Sequence, residues 1–139
     1  MCINIASTSL VHAGPPVFIT FKNNNKGSGA TYTIITDNDA STYTNAYPKP
    51  AKIVPKESTN SYAVTSPINS DMNYATVHYK IGNKECVFST SFVNTLLNNK
   101  VKGPVWNKNA TPTNGAICTA IITSFNLDTY SWTVDFTMG

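Results

Sequence analysis

The chain has 139 residues, of which 41% are hydrophobic and 12% charged, and its formal net charge is +3. This length is typical of a single domain that can bury a core unaided. The charged share is about half of the usual value of about 25%, which argues against disorder, and no apolar run reaches the about 20 residues of a membrane-spanning helix. All ten basic residues are lysines. Because specific nucleic-acid recognition favours the planar guanidinium of arginine, the composition argues against a nucleic-acid partner.

Residues 1–13 resemble the second half of a secretory signal peptide. Val11 and Ala13 occupy the −3 and −1 places of a small-residue cleavage site before Gly14. The segment lacks a positive start and a strong apolar stretch, so the alternative is an exposed arm or a first strand. The first interpretation predicts a secreted or periplasmic protein.

The three cysteines, Cys2, Cys86 and Cys118, form an even pair once residues 1–13 are removed. Cys86 and Cys118 each lie in a strand-like run. We predict a disulfide between them, on condition of export to an oxidising compartment. The alternative is two buried free thiols that act as small hydrophobes.

The first half of the chain predicts short strands separated by polar turns. Residues 17–22 and 30–36 are expected to form a hairpin around an Asn- and Gly-rich turn. Residues 42–51 contain Pro48 and Pro50 and are expected to be a long loop or a sheet edge. Residues 52–55 and 61–66 predict two further short strands.

The second half predicts a longer hairpin and a buried end. Residues 74–81 and 85–92 alternate on either side of a turn at Gly82. Residues 91–99 are the one place where a helical turn is expected, and 100–115 the longest irregular stretch. Residues 116–125 are apolar on both faces and predict a central strand. The last strand, 130–138, has five large apolar residues on one face: Tyr130, Trp132, Val134, Phe136 and Met138.

About eight strands with no substantial helix predict an all-β protein. We expect a single-domain antiparallel β-sandwich over residues 14–139, immunoglobulin-like or jelly-roll-like.

Catalysis and metal binding need clusters of reactive side chains, and the sequence has no Gly-x-Ser-x-Gly, Cys-x-x-Cys or His-x-x-x-His motif. His78 alternates with Thr76 and Lys80, so we expect it to face solvent. The run from Asp37 to Asp39 resembles a fragment of a calcium loop but lacks its glycine and closing glutamate. We interpret it as an Asx turn that ends a hairpin. The sequence therefore predicts a protein that is not an enzyme and uses no metal or cofactor.

Two stretches predicted to be irregular carry aromatic residues among small polar ones. Tyr43 and Tyr47 lie in the first, and Trp106 beside Asn107 lies in the second. Loop aromatics offer rigid apolar area at a small entropy cost, so these four residues are the candidate ligand contacts. The alternative for Trp106 is that it tucks under its own loop and closes the sandwich.

In size, low charge and late aromatic strands the chain resembles the aegerolysins, small β-sandwich proteins that bind membrane lipids and in some cases recruit a pore-forming partner. The stretch from His78 to Cys86 lacks the Trp- and Cys-rich signature expected near the middle of that family. No functional residue is carried over from it.

The leading hypothesis is a small secreted protein that binds a glycan, a lipid head group or a protein surface through aromatic loops. A membrane-active toxin component with peripheral membrane contact is the second, and a structural or assembly subunit that donates or accepts a strand is the third.

Overall fold

The structure, a computed structural model, describes residues 13–67, 69–98 and 101–139. The signal-peptide prediction for residues 1–13 therefore lies outside the described residues except at Ala13. The described part contains one helix, α1 (Asp37–Thr44), and ten strands: β1 (Val17–Asn23), β2 (Ala30–Thr33), β3 (Ala46–Tyr47), β4 (Ile53–Val54), β5 (Ser58–Val64), β6 (Met72–Ile81), β7 (Lys84–Leu97), β8 (Val101–Thr113), β9 (Cys118–Phe125) and β10 (Trp132–Met138).

The strands form two five-stranded sheets that pack face to face, which confirms the predicted all-β sandwich with ten strands instead of about eight. The first sheet has the order β3-β5-β1-β10-β9 and the second the order β4-β2-β6-β7-β8. Neighbouring strands are antiparallel except β1 and β10, which pair in parallel from Val17 opposite Trp132 to Asn23 opposite Met138.

The core lies between the sheets and follows the period of two in the sequence. β10 buries four of the five apolar residues that the sequence predicts for its inner face and directs the intervening ones outward. The fifth, Tyr130, precedes the strand with a positive φ of 67° and is only partly buried. β6 and β7 meet it from the other sheet, and the rings of Phe88 and Phe136 stack with centroids 4.7 Å apart. The predicted disulfide between Cys86 on β7 and Cys118 on β9 is present and ties the two sheets together.

The predicted hairpin of residues 17–22 with 30–36 is wrong, because β1 and β2 belong to different sheets. β1 pairs over seven residues with β5 and with β10, whereas β2 has only four residues and pairs with β4 and β6. The connection crosses between the sheets, held by the buried Asn23. Its amide donates hydrogen bonds of 3.0 Å to the carbonyls of Ser28 and Val54.

The Asx turn predicted at Asp37 to Asp39 is instead the first turn of α1. Of the stretch 42–51, predicted to be a long loop or a sheet edge, the start belongs to this helix, and β3 forms an edge of the first sheet as the second alternative held. Thr36 caps the helix: its hydroxyl accepts from the backbone N–H of Asp39, and the Asp39 carboxylate accepts from that of Thr36. This reciprocal capping box satisfies N–H groups that a helix start leaves unpaired.

The helical turn predicted at 91–99 and the irregular stretch predicted at 100–115 are also wrong, because most of both form the β7–β8 hairpin. The pairing runs from Glu85 opposite Thr113 to Leu97 opposite Val101. β8 lies at the edge of its sheet, so the missing N–H groups of Pro104 and Pro112 are tolerated there. Near the hairpin end, the side chain of Leu97 occupies the space above Gly103 that a larger residue would need.

Residues 116–125 do not form the predicted central strand, because β9 (Cys118–Phe125) lies at the edge of its sheet and pairs with β10. The apolar residues on its outer face are exposed, and Ile121 has 57% of its surface in solvent. The sequence misleads here because it does not reveal which apolar face remains uncovered.

Candidate ligand-binding face

The outer face of the first sheet carries two exposed aromatic side chains in line with each other. Ala63 on β5 is in register with Phe18 on β1 and with Tyr47 on β3. The three residues therefore lie side by side across three strands. Two strand spacings separate the aromatic residues by about 10 Å at the backbone.

A shallow cleft of about 260 Å³ opens between these aromatics, which we call the aromatic cleft. Tyr47 is 83% and Phe18 47% exposed, so both present ring surface to solvent. The lining surface is mainly apolar, and its hydroxyl groups come from Thr20 and Ser61, which lie next to Ala63 with their oxygens 3.1 Å apart. The lining residues are Phe18, Ile19, Thr20, Tyr47, Pro48, Ser61, Tyr62 and Ala63.

The aromatic cleft is electrically neutral. All of its lining residues among those described are uncharged. On the same sheet, Lys22 and Asp135 form an ion pair of 3.0 Å that leaves no net charge at this part of the face. The cleft can therefore offer ring faces and hydroxyl groups to a ligand, but no formal charge.

Of the four predicted contacts, only Tyr47 reaches this cleft. Tyr43 is half-buried on α1, and its ring lies 6.0 Å from that of Tyr32 on β2. It lines a separate depression of about 260 Å³. Lys49 lies against Tyr43, with Nζ 5.2 Å from the ring centroid, and donates hydrogen bonds to the carbonyls of Tyr43 and Thr44 at the end of the helix.

Trp106 packs into an aromatic cluster at the open side of the sandwich, where the edge strands β8 and β9 of the two sheets face each other. Its ring stacks on Phe125 with centroids 4.5 Å apart and also contacts Phe92. Its indole N–H donates to the carbonyl of Tyr130 at 3.1 Å. Trp106 thus helps to close the sandwich, as the alternative interpretation held, although it does so from a strand and not from a loop.

Asn107 points away from Trp106, because neighbouring residues of a strand face opposite sides. It lines a depression of about 140 Å³ on the outer face of the second sheet, among small polar residues such as Ser89, Ser91 and Asn109. Tyr74 borders it and is 37% exposed. The predicted contacts are therefore distributed over separate surfaces.

His78 does not face solvent as predicted, since it is only 8% exposed. Helix α1 covers it, and His78 Nδ1 lies 2.7 Å from Oδ2 of the fully buried Asp39. The contact is short but lacks the alignment of a regular hydrogen bond. Asp39 Oδ2 also accepts from the backbone N–H groups of Ile35 and Thr36. These contacts anchor the helix on β6. The burial of His78 cannot be read from the alternation in β6, because it depends on where the fold places Asp39.

Within the described ranges, no group of three or more His, Cys, Asp or Glu side chains could hold a metal ion. No helix in the described part is long and apolar enough to cross a membrane. No protein-family model, no curated protein and no solved structure matches the chain.

Phe18 is a residue of the candidate site that the sequence did not predict. A signal was present: Phe18 is the one aromatic residue on the face of β1 that otherwise carries Thr20 and Lys22. A large apolar residue among polar ones on an outward face indicates a candidate binding surface when a second aromatic residue is in register with it.

Proposed function

We propose that the protein is a secreted binding protein that recognises a neutral glycan in the aromatic cleft. The observation that carries this proposal is the alignment of Phe18 and Tyr47 on either side of Ala63. Sugar rings have an apolar C–H face and a rim of hydroxyl groups. Aromatic faces suit the first, and hydroxyl side chains such as Thr20 and Ser61 suit the second.

Charge favours a glycan over an anionic lipid head group. An anionic ligand would need lysine or arginine, or a set of free N–H groups, at the point of contact. The lining of the aromatic cleft has no charged residue among those described. The disulfide supports export, because such bonds persist in oxidising compartments.

The test is binding to an array of neutral oligosaccharides and polysaccharides, followed by titration calorimetry with the best glycan. Phe18→Ala and Tyr47→Ala are each expected to weaken binding at least tenfold. Tyr74→Ala is the matched control, because it removes an exposed aromatic residue from the other sheet. The proposal fails if no neutral glycan binds, or if the control weakens binding as much as the cleft variants do.

Peripheral membrane contact is a second candidate, favoured by exposed apolar residues on β7 and β8 near the end of their hairpin. Leu96 and Val101 are 59% and 66% exposed there, and Val93 and Leu97 are also in contact with solvent. Co-sedimentation and dye leakage with vesicles of phosphatidylcholine and phosphatidylserine test this candidate. The double variant Leu96→Ser with Val101→Ser is expected to abolish vesicle binding while leaving glycan binding intact.

A further inference from the structure

The four edges of the two sheets differ in their protection against pairing with another chain. β3 and β4 have only two residues each. β8 carries Lys102, Pro104, Lys108 and Pro112, and charges and prolines of this kind discourage strand addition. β9 has eight residues, Cys-Thr-Ala-Ile-Ile-Thr-Ser-Phe, with neither a charge nor a proline. It is therefore the least protected edge of the described structure.

The outward backbone groups of β9 can be assigned from its pairing with β10. The N–H of Gly139 donates to the carbonyl of Ile117 at 2.9 Å, so residue 117 directs its backbone toward the β10 side. In an antiparallel ladder the direction alternates. Cys118, Ala120 and Ile122 therefore direct their N–H and C=O groups away from β10, where no other strand of the described part pairs with them.

A groove accompanies this edge. It has a volume of about 450 Å³ and lies between β8 and β9, lined by Lys108, Asn109, Ala110, Cys118, Thr119, Ala120 and Ile121. A strand added beside β9 would place alternate side chains in this groove, beneath β8. Lys108 is exposed at the groove and has no carboxylate partner among the described residues.

We propose that β9 accepts an extended segment of another polypeptide as a sixth strand of its sheet. The segment carries small apolar side chains at alternate positions, which enter the groove, and an acidic residue that pairs with Lys108. Backbone hydrogen bonds provide the affinity, and the groove selects the side chains. The site is separate from the aromatic cleft, which lies on β1, β3 and β5.

A second copy of the chain fits this edge poorly. β8 lies over β9, and the two strands are linked by the stacking of Trp106 on Phe125. Antiparallel pairing of two β9 strands about a two-fold axis would bring both β8 edges side by side. The unpaired Lys108 of one copy would then approach the Lys108 of the other, whereas Lys102 is already paired with Asp71 at 2.8 Å. A single foreign strand avoids this repulsion.

The probe is an acetylated and amidated eight-residue peptide of alternating threonine and valine with one glutamate, labelled with fluorescein. We expect saturable binding to the full chain by fluorescence anisotropy. Ala120→Pro removes an outward N–H group without removing a bond to β10, and it is expected to weaken binding at least tenfold. Ala120→Ser is the matched control, because it keeps the N–H group and a small side chain.

A second measurement uses the wild-type protein, so it tests strand addition at β9 even if Ala120→Pro does not fold. N-methylation of alternate peptide nitrogens removes hydrogen-bond donors, and we expect binding to the wild-type protein to be lost. Lys108→Glu is expected to weaken binding of the glutamate peptide and strengthen binding of the same peptide with lysine in its place. Absence of binding, equal binding of the N-methylated peptide, or dimers in light scattering that the peptide disrupts would each overturn the proposal.

Discussion

The indole N–H of Trp132 on β10 donates a buried hydrogen bond of 2.8 Å to the hydroxyl of Thr90 on β7, across the two sheets. The Thr90 hydroxyl in turn donates to the carbonyl of Asn107 on β8, also at 2.8 Å. Three strands of two sheets are thus joined by one chain of hydrogen bonds inside the core.

Replacing Trp132 is expected to be among the most damaging single changes. The side chain is 1% exposed, so Trp132→Ala leaves a large cavity and should lower the free energy of unfolding by about 3–5 kcal/mol. Thr90→Val leaves the indole N–H buried without an acceptor and should cost about 1–3 kcal/mol. Urea unfolding measures both. A loss below about 1 kcal/mol for Trp132→Ala would mean that the inward face of β10 is wrongly assigned.

The hydroxyls of Tyr62 and Tyr79 form a second polar link between the sheets, 2.7 Å apart and buried. Tyr62→Phe or Tyr79→Phe leaves the other hydroxyl without its partner, at a cost of about 1–3 kcal/mol. The double variant should cost less than the sum of the two single changes, because no unpaired hydroxyl remains. A double-mutant cycle in urea measures this coupling, and strictly additive losses would contradict it.

The same pair gives stability a dependence on alkaline pH. Burial raises the pKa of the Tyr62 hydroxyl well above its ordinary value of 10.0, and burial also raises the pKa of Tyr79. The unfolded chain therefore releases these protons first as the pH rises. The stability that this pair contributes should be constant below about pH 10 and should fall above it. The fall should be smaller in the double phenylalanine variant, as thermal unfolding between pH 8 and pH 11 can show.

The disulfide between Cys86 and Cys118 spans 32 residues of sequence. For a loop of this length, chain entropy predicts a loss of about 3–4 kcal/mol when the bond is removed. Cys86→Ala with Cys118→Ala and the reduced wild-type protein should lose similar amounts, measured by guanidinium unfolding. Equal stability of the oxidised and reduced proteins would show that the bond adds no constraint.

Asp39 and Asp37 occupy the same first turn of α1 but have different environments. Asp39 is buried beside His78 and accepts the capping hydrogen bonds, whereas Asp37 is exposed. Asp39→Ala leaves the backbone N–H groups of Ile35 and Thr36 without their acceptor and should cost about 1–3 kcal/mol. Asp37→Ala should cost about 0.3–1 kcal/mol. Hydrogen exchange should show loss of protection in α1 for the first variant only, and equal effects would argue against the anchor.

The sequence predicts those features that depend on local alternation. The inward faces of β6, β7 and β10 follow directly from a period of two, and the disulfide follows from the strand-like surroundings of Cys86 and Cys118. The errors concern pairing between distant segments. The burial of His78 depends on Asp39, which is 39 positions earlier in the chain, and the prolines of β8 are acceptable only because that strand is an edge. The sequence did not predict Phe18 as part of the candidate site, because its role there depends on its register with Ala63 and Tyr47 across three strands.

Trp106 and Tyr47, both predicted as ligand contacts, should behave in opposite ways when replaced. Trp106 is partly buried against Phe125 and Phe92, so Trp106→Ala should lower the free energy of unfolding by about 2–3 kcal/mol. Tyr47 is 83% exposed, so Tyr47→Ala should change stability by less than about 0.5 kcal/mol and should weaken glycan binding at least tenfold. Urea unfolding and titration calorimetry on the same samples separate the two effects. If Trp106→Ala were stable but could not bind, the binding face would lie at the open side of the sandwich and not on β1, β3 and β5.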